Sequence, residues 1–386
     1  MDMSYKRLGN YIRQVNIRNK DLETETLLGV SITKKLIPSI ANTIGTDMSV
    51  YKVIEKRQFA YGTVTSRNGN KISIALSDQY DKALVSQIYI VFEVIDTNEL
   101  LPEYLMMWFS RPEFDRYARF HSHGSTRETF DWEDMCEVEL PIPSIEEQNK
   151  IVAQYQSVEN KIRINEQICE KLETTAQTLY KHWFVDFEFP DERGQFYKSS
   201  GGKMVWNKEV EKEIPEGWKI GKLMDFVLIK NGKLKPSNSG NIPVYGGNGI
   251  IDYVDKSNHK NINIIGRVGA YCGSIYYDEN NVWVSDNALA AVSINDTLYF
   301  DYLTLINLNL NSKSEGSSHP LLTQGILNNI NLIKSNNQNI YLNFEQLIKP
   351  IFKELNCLSK QNQKLTQLLN SLLSQLAADK KLENVS

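Results

Sequence analysis

The feature that most constrains this chain is a long stretch without glycine or proline, residues 144–189, which returns in altered form near the C-terminus. Steps that alternate four and three residues along each copy fall mostly on apolar side chains and place an asparagine at the same step, Asn165 and Asn362. The two stripes are Val158, Ile162, Asn165, Cys169, Leu172, Ala176 and Leu179, and Leu355, Ser359, Asn362, Thr366, Leu369, Leu373 and Leu376. This spacing is typical of a coiled coil. It predicts two long helices that pack antiparallel and bury their stripes against each other. The two asparagines would either pair in the seam and fix its register, which is the favoured alternative, or be exposed to solvent.

Length and composition bound the class of protein. The 386 residues suffice for two domains with separate cores, and a net charge of −4 means that any contact with nucleic acid must rest on local positive surfaces. Four cysteines are scattered without a CxxC pair, which argues against a structural zinc and suits a reducing compartment. No stretch is apolar enough to span a membrane and the N-terminus lacks a signal-peptide run, so we expect a cytoplasmic protein.

Helix signals and turn-rich stretches divide the chain into five parts. Ser144 and Glu147 have the spacing of a capping box, and Asn343 with Gln346 is a candidate cap for a closing helix that Pro350 is expected to kink or delay. Short β-like runs are predicted at residues 73–76, 88–92, 226–229, 262–265, 274–277 and 282–284, and a helical piece at 102–117. The predicted parts are a globular unit at 1–143, a long helix at 144–189, a polar linker at 190–213, a second globular unit at 214–342 and a closing helix at 343–386.

The repeat extends into the two globular units. Residues 61–69, with the pattern Y-G-T-V and a glycine five residues later, align with residues 265–273. Further matches pair Ser86 with Ser285, Tyr104-Leu105 with Tyr302-Leu303, Gly124-Ser125 with Gly316-Ser317, Phe130 with Leu322, Met135 with Leu327 and Val138 with Ile330. A tandem duplication with insertions in loops accounts for this order.

The duplication suggests a ligand with matching symmetry. Two like units joined by antiparallel helices would have an approximate two-fold axis, and dimeric readers of duplex DNA use half-sites about 34 Å apart. About 30 helical residues span roughly 45 Å. Because the units differ outside the matched positions, we expect two different half-sites, with the helices setting the gap between them.

Several motifs carry a family resemblance: PIPSIEEQNKIV before the first helix, IPEGWKIGKL, IPVYGGNGI, IIGRVGAYCG and WVSDNALA in the second unit, and GSTRETFDW and GSSHPLLTQG late in each unit. In these motifs, over nearly its whole length, the chain resembles the specificity subunit of a type I restriction-modification enzyme. One departure is that the second copy lacks the LPIPS exit and has residues 335–339 there instead.

The resemblance implies a fold and a set of partners. The fold would be α+β, with two tandem target recognition domains of mixed β structure and short helices, separated by two long helices packed as an antiparallel coiled coil. The function would be non-catalytic recognition of a bipartite, asymmetric duplex DNA target. Two adenine-methyltransferase subunits would dock on the chain, and restriction and translocase subunits would join for cleavage. This chain would bind no cofactor, and S-adenosylmethionine, ATP and Mg would belong to the partner subunits.

The strongest candidates for DNA contact are the glycine-containing loops 61–69 and 265–273, because glycines allow close approach to a groove and Arg67, Asn68 and Arg267 offer donors. The alternative is that these glycines only turn strands. The polar loops around His121 and Ser317 are further candidates, with ordinary surface loops as the alternative and metal ligation disfavoured by the lack of further ligands. The predicted DNA-binding residues are Gly62, Thr63, Ser66, Arg67, Asn68, His121, His123, Ser125, Thr126, Arg127, Lys230, Lys233, Tyr245, Asn248, Arg267, Tyr271, Ser317, His319 and Gln324. The predicted spacer and partner-docking residues are Val158, Ile162, Asn165, Leu172, Leu179, Leu355, Asn362, Leu369, Leu373 and Leu376.

Two other functions stay open from the residues alone. A stand-alone DNA-modifying enzyme is disfavoured because the Asn-Pro-Pro-Tyr/Phe motif of adenine methylases is absent and no nuclease cluster is evident. A protein-binding adapter built from repeated units is the other alternative, and steeply salt-dependent affinity for duplex DNA would argue against it.

Overall fold

The structure is a computed structural model that describes residues 5–39, 45–66, 68–124, 127–316 and 320–377. It has the expected mixed α+β architecture, and its contacts divide it into two compact units. Unit 1 comprises the described residues up to Asn165 together with those from Gln361 onward, and unit 2 comprises Glu166–Lys360. Each of the two long helices therefore contributes one part to each unit.

Unit 1 is built on two four-stranded sheets. Its elements are β1 Tyr5–Arg7, β2 Ile12–Val15, β3 Leu27–Val30, β4 Leu36–Pro38, β5 Lys52–Glu55, β6 Phe59–Gly62, β7 Ile74–Leu76, β8 Lys82–Val85, β9 Tyr89–Val94, α1 Pro102–Phe109, α2 Pro112–Phe120, α3 Trp132–Cys136, β10 Glu139–Pro141 and the first part of α4 Ile145–Phe184. The sheet orders are β2-β9-β6-β7 and β4-β3-β8-β5. Phe59 stacks on Phe92 with ring centroids 4.7 Å apart, and Phe109 packs edge-on against both rings. This aromatic core fixes β6, whose C-terminal end continues into residues 63–70.

Unit 2 is built on one six-stranded sheet of order β14-β19-β17-β18-β15-β16. Its elements are β11 Met204–Asn207, β12 Lys212–Pro215, β13 Lys219–Lys222, β14 Val227–Asn231, β15 Ser239–Gly246, β16 Gly249–Val254, β17 His259–Gly266, β18 Ile275–Val284, β19 Ala288–Ser293, α5 Leu298–Asn307, α6 Gln324–Asn328, β20 Asn331–Lys334 and α7 Gln338–Gln375, whose last part belongs to unit 1. Phe184, at the end of α4, contacts Phe300, Tyr341 and Phe344. The aromatic end of the first long helix is therefore part of the core of unit 2.

The two units share one strand order. The run β2-β9-β6-β7 in unit 1 corresponds to β14-β19-β17-β18 in unit 2, and β3 pairs with β8 in parallel just as β15 pairs with β18. Strand β17 is continuous where unit 1 has β5 and β6, yet both copies place a residue with positive φ at the same step, Arg57 at 67° and Asn261 at 52°. The duplication inferred from the sequence thus has a structural counterpart.

Some predicted elements differ from the structure. The helical piece at 102–117 is two helices, because Pro112 cannot continue α1 and instead occupies the first turn of α2. The runs at 274–277 and 282–284 belong to one strand, β18. The range 190–213, predicted as a linker, holds β11 and the start of the strand β12 with which β11 pairs.

The long helices also have different ends from those predicted. Helix α4 ends at Phe184, where Val185 and Asp186 both donate to the Lys181 carbonyl. Helix α7 begins at Gln338 with Asn337 as its cap, and Pro350 lies within it instead of delaying it. Burial of Phe344, Ile348 and Phe352 on one face supports the helix on both sides of the proline.

The helical stripes meet as the periodicity predicts. In α4 the buried or half-buried positions include Val158, Ile162, Asn165, Cys169, Leu172, Ala176 and Leu179. In α7 the stripe runs through Leu355, Leu358, Asn362, Leu365, Leu369, Leu372, Leu373 and Leu376. Val152 shares a core with Leu373 and Leu376, and Tyr180 contacts Phe344, so α4 and α7 run antiparallel. Ser359 and Thr366, predicted in the stripe, are exposed, since the apolar leucines one residue earlier take their places.

The asparagine pair is confirmed. Asn165 Nδ2 donates to Asn362 Oδ1 and to Gln361 Oε1, each at 2.8 Å, and the Asn165 side chain is fully buried. A buried polar layer of this kind favours one register of the helices over its neighbours.

Candidate nucleic-acid interface

In unit 1 two loops are joined beyond the end of β6. They are residues 63–70 and 121–130, in which Arg67, Ser125 and Thr126 lie outside the described residues. Phe130 N donates to the Thr63 carbonyl at 2.8 Å, and Thr65 N donates to the Glu128 carbonyl at 3.0 Å. We call these two segments the loop pair of unit 1.

Unit 2 contains the same arrangement beyond β17. Its loop pair consists of residues 267–274 and 315–322, in which residues 317–319, including Ser317 and His319, lie outside the described residues. Leu322 N donates to the Arg267 carbonyl at 2.9 Å, and Gly269 N donates to the Pro320 carbonyl at 3.1 Å. These bonds join the positions that match those joined in unit 1.

A further pair of hydrogen bonds is common to both. His123 and Thr129 exchange backbone hydrogen bonds of 3.0 and 2.9 Å, and Glu315 and Leu321 do so at the same two distances. A glycine with positive φ follows directly after His123 and after Glu315, namely Gly124 and Gly316. This backbone conformation would be strained for a residue with a side chain. Gly69, Gly269 and Gly273, in the predicted glycine-containing loops, also have positive φ (62°, 73° and 90°), so these glycines turn the chain, and their contact with DNA stays a prediction.

The loop pair of unit 1 exposes several of the predicted side chains. Ser66, His123 and Arg127 are exposed, whereas Asn68 is half-buried and bonds the Val64 carbonyl at 3.2 Å. His121 is half-buried with its ring 4.2 Å from that of Tyr117. Gly62 is buried at the end of β6, and the carbonyl of Thr63 is engaged as described above. Ser66, His123 and Arg127 are thus exposed within the same loop pair, whereas Gly62 does not reach the surface.

The turn between β15 and β16 lies next to the loop pair of unit 2. A Cβ added at Gly247 would lie 3.6 Å from the carbonyl oxygens of both Val268 and Asn287, and Arg267 N donates to the Asn287 carbonyl at 3.1 Å. Asn248 at the turn is exposed, and so is half of Tyr271. The predicted residues from two separate segments are thus neighbours.

Arg267 has an unusual environment within this group. Its side chain is half-buried, and its Nε is buried with no hydrogen-bond partner among the described residues. A buried guanidinium donor without a partner is costly unless a ligand satisfies it. A phosphate or a guanine edge would supply the missing acceptors.

Two predicted lysines lie together beside the sheet of unit 2. Lys230 and Lys233 are exposed, and Lys233 is held by its backbone, which donates to Val284 at 3.0 Å and accepts from Trp283 Nε1 at 3.1 Å. Burial lowers the pKa of His259, and the charges of Lys230 and Lys233 lower it further. The two lysines, both exposed, thus contribute positive charge to this part of unit 2.

Two predicted residues are differently placed. Tyr245 is buried and donates its hydroxyl to Asp278 at 3.0 Å, so its side chain does not reach the surface. Burial raises the pKa of this tyrosine, and the Asp278 charge adds to the rise. Gln324 is the first residue of α6 and half-buried, next to Thr323, whose hydroxyl caps that helix by accepting from Ile326 N at 3.2 Å.

Sequence reasoning missed residues that hold the loops in place. Thr65 Oγ1 donates to Ser122 Oγ at 2.9 Å, which connects the two segments of the unit 1 loop pair through side chains. Arg119 pairs with Glu128 at 2.5 Å and steadies the same junction. A polar residue at position 65 within a glycine-containing turn was the available signal, but only the fold shows its partner.

The described ranges contain neither a metal-binding cluster nor a membrane-spanning helix. No cluster of three or more His, Cys, Asp or Glu side chains capable of holding a metal ion occurs in them. None of the helices in these ranges has the length and apolar character needed to cross a membrane.

Two curated proteins are similar to this chain over part of its length. The chain has similarity to the type I restriction enzyme MjaIX specificity subunit of Methanocaldococcus jannaschii, with 33% identity over 161 residues, 42% of this chain and 34% of that protein. It is also similar to the HindI specificity subunit of Haemophilus influenzae, with 31% identity over 139 residues, 36% of this chain and 30% of that protein. The chain thus spans about a third of the length of the curated relatives it matches.

A solved structure extends the likeness to the whole fold. The crystal structure of a type I restriction-modification system S subunit from M. genitalium superposes with a TM-score of 0.63 at 16% identity, covering 97% of this chain and 95% of the other. The family model for the type I restriction modification DNA specificity domain matches twice, at residues 33–174 and 215–368. These two matches cover most of the chain, and the chain belongs to the type I restriction modification DNA specificity domain family.

Proposed function

We propose that this chain is the non-catalytic, sequence-recognising subunit of a type I restriction-modification complex. It binds duplex DNA at a bipartite, asymmetric target, and each unit takes one half. Two adenine-methyltransferase subunits dock on it, and restriction and translocase subunits join them. The chain itself binds no cofactor, and S-adenosylmethionine, ATP and Mg are used by the partners.

The observation that carries the proposal is one backbone frame that occurs twice with different side chains. Thr63 in unit 1 corresponds to Arg267 in unit 2, and His123 corresponds to Glu315, although the backbone hydrogen bonds match. Base edges in the major groove are distinguished by donor and acceptor patterns. Two frames with different donors and acceptors are therefore suited to two different half-sites.

The test is to map methylated adenines in cells that make the chain with its methyltransferase partner. We expect a split motif, and we expect Arg267→Ala to relax or weaken only one half of it. Loss of a bidentate contact to a base would reduce affinity about five- to 150-fold. Lys208→Ala is the matched control, because Lys208 is an exposed cation between β11 and β12, outside both loop pairs.

Other results would contradict the proposal. An unsplit motif, or an Arg267→Ala variant that changes both halves equally, would contradict the assignment of one half-site to each unit. DNA modification by the purified chain alone would contradict the non-catalytic role. Binding to duplex DNA that does not weaken as salt is raised would contradict phosphate contact.

A further inference from the structure

Phe120, the last residue of α2, carries an aromatic ring that stands out into solvent. Its relative exposure is 81%, the largest among the large hydrophobic side chains of the described residues. Isolated exposed apolar residues are common on protein surfaces, so exposure alone indicates nothing. The position and support of this ring are what distinguish it.

Phe120 directly precedes residues 121–130 of the loop pair of unit 1. Ser122, two residues later, accepts a hydrogen bond from Thr65 Oγ1 at 2.9 Å. The His121 ring lies 4.2 Å from that of Tyr117 and meets Phe120 edge-on at 5.2 Å. The chain on either side of Phe120 is therefore anchored, and its ring projects from this anchored backbone beside the loop pair.

The surroundings of the ring are mainly cationic or polar. Arg116 precedes Phe120 by four residues on the same side of α2, where it also pairs with Glu113 at 3.0 Å. His123 and Arg127 in the adjoining loop are exposed. Arginines suit phosphate contact, and contacts of this kind set the register of a protein on the duplex. With these cations on phosphates, the Phe120 ring, one helical turn after Arg116 and directly before the loop, would reach the adjoining groove.

We infer that Phe120 contacts a base edge in the major groove of the half-site bound by unit 1, and that its partner is the C5-methyl group of a thymine. The inference rests on the proposed function and adds a specificity residue to it. A phenyl ring has no hydrogen-bond donor or acceptor, so it cannot distinguish the polar patterns of base edges. Apolar contact with the thymine methyl group is the form of direct readout open to it.

The test removes the methyl group from the DNA and the ring from the protein, separately and together. Duplexes in which each thymine of the unit 1 half-site is replaced in turn by uracil are bound to the complex of this chain with its methyltransferase subunits. The unit 1 half-site is the half that Arg267→Ala leaves intact. We expect one uracil to weaken binding about fourfold, the effect of one buried methyl group. Phe120→Ala should weaken binding to the natural target and should no longer respond to that uracil.

Leu22→Ala is the matched control, because Leu22 is a large apolar residue of unit 1 that is 56% exposed and lies outside the loop pair. It should keep both the affinity and the response to uracil. The inference is overturned if no thymine is sensitive, or if Phe120→Ala keeps the sensitivity. It is also overturned if Phe120→Ala greatly lowers the melting temperature, since the ring would then be structural. Failure of the proposed function looks different, because the unsubstituted complex would then show no preference for any DNA sequence.

Discussion

The buried ion pair between Lys34 and Asp115 provides the sharpest test of how unit 1 is held together. Their side chains are 9% and 11% exposed, and Lys34 Nζ donates to Asp115 Oδ1 at 2.7 Å and to the Phe109 carbonyl at 2.5 Å. The same carboxylate oxygen accepts from Ile72 N at 3.1 Å. The carboxylate of Asp115 in α2 thus connects this helix to the turn between β3 and β4 and to Ile72, which follows residues 63–70 of the loop pair.

Asp115→Ala should therefore be strongly destabilising. Among the described residues it leaves the Lys34 ammonium group with the Phe109 carbonyl as its acceptor and the Ile72 amide with no acceptor. Breaking a buried pair by removing one partner costs about 3–5 kcal/mol. Burial lowers the pKa of Lys34 despite the opposing effect of Asp115, which shows that the charge is held at a cost even with its partner present.

Native-state hydrogen exchange can measure this loss in unit 1 alone. A decrease of about 3–5 kcal/mol should accelerate exchange of the slowest amides in β6 and β7 about 150- to 5,000-fold. Amides of β17 in unit 2 serve as the internal control and should keep their rates.

A second variant separates the charge from the packing. Replacing both partners, Lys34→Met with Asp115→Leu, removes the stranded charge and should restore part of the lost protection, because apolar replacement of a buried pair is often neutral while the Ile72 amide still lacks its acceptor. The reasoning would be refuted if Asp115→Ala cost less than about 1 kcal/mol. It would also be refuted if the double variant were as unstable as the single one.

Two further predictions concern unit 2. Burial raises the pKa of Asp301 well above its ordinary value, and the charge of Glu345 adds to the rise, so the native state retains the proton more strongly than the unfolded chain does. The free energy of unfolding should then fall as pH rises from the ordinary aspartate range to the raised pKa. Asp301→Asn should flatten this fall and stabilise unit 2 at neutral pH, as measured by urea titration. Pro350→Ala should raise the stability of α7, since Pro350 is exposed within the helix and alanine restores the hydrogen bond to the Gln346 carbonyl. A gain of about 1–3 kcal/mol by urea unfolding is expected, and an unchanged midpoint would show that the helix already compensates for the proline.

The repeat could be predicted from the sequence because its matched positions are structural. Phe130 and Leu322 are both fully buried, and so are Met135 and Leu327. Val138 accepts from Leu8 N at 2.8 Å, and its counterpart Ile330 accepts from Leu223 N at 2.9 Å. Apolar positions in a core allow few substitutions, so similarity persists there after it is lost elsewhere.

Other features could not be predicted with the same reasoning. The order in which three- and four-residue steps alternate along α7 is not fixed by the single matched asparagine. The predicted stripe therefore includes Ser359 and Thr366, each one residue away from the leucine that is buried or half-buried. The hairpin of β11 and β12 was assigned to a linker because Gly, Ser and charged residues surround it, although residues 204–207 and 212–215 form a regular antiparallel pair. In both cases local composition was ambiguous, and packing against the rest of the unit decided the outcome.

The loop pairs explain why the fold was easier to predict than the contacts it makes. The hydrogen bonds that join each pair run between backbone groups, and backbone groups are the same for threonine, arginine, histidine and glutamate. Substitution at Thr63, Arg267, His123 or Glu315 therefore leaves the frame intact while it changes the donors and acceptors offered to a ligand. Under the proposed function, a change at one of these positions would alter one half of the target and leave the shared backbone hydrogen bonds in place. The same independence removes any local pattern from which the bases of the proposed target could be deduced.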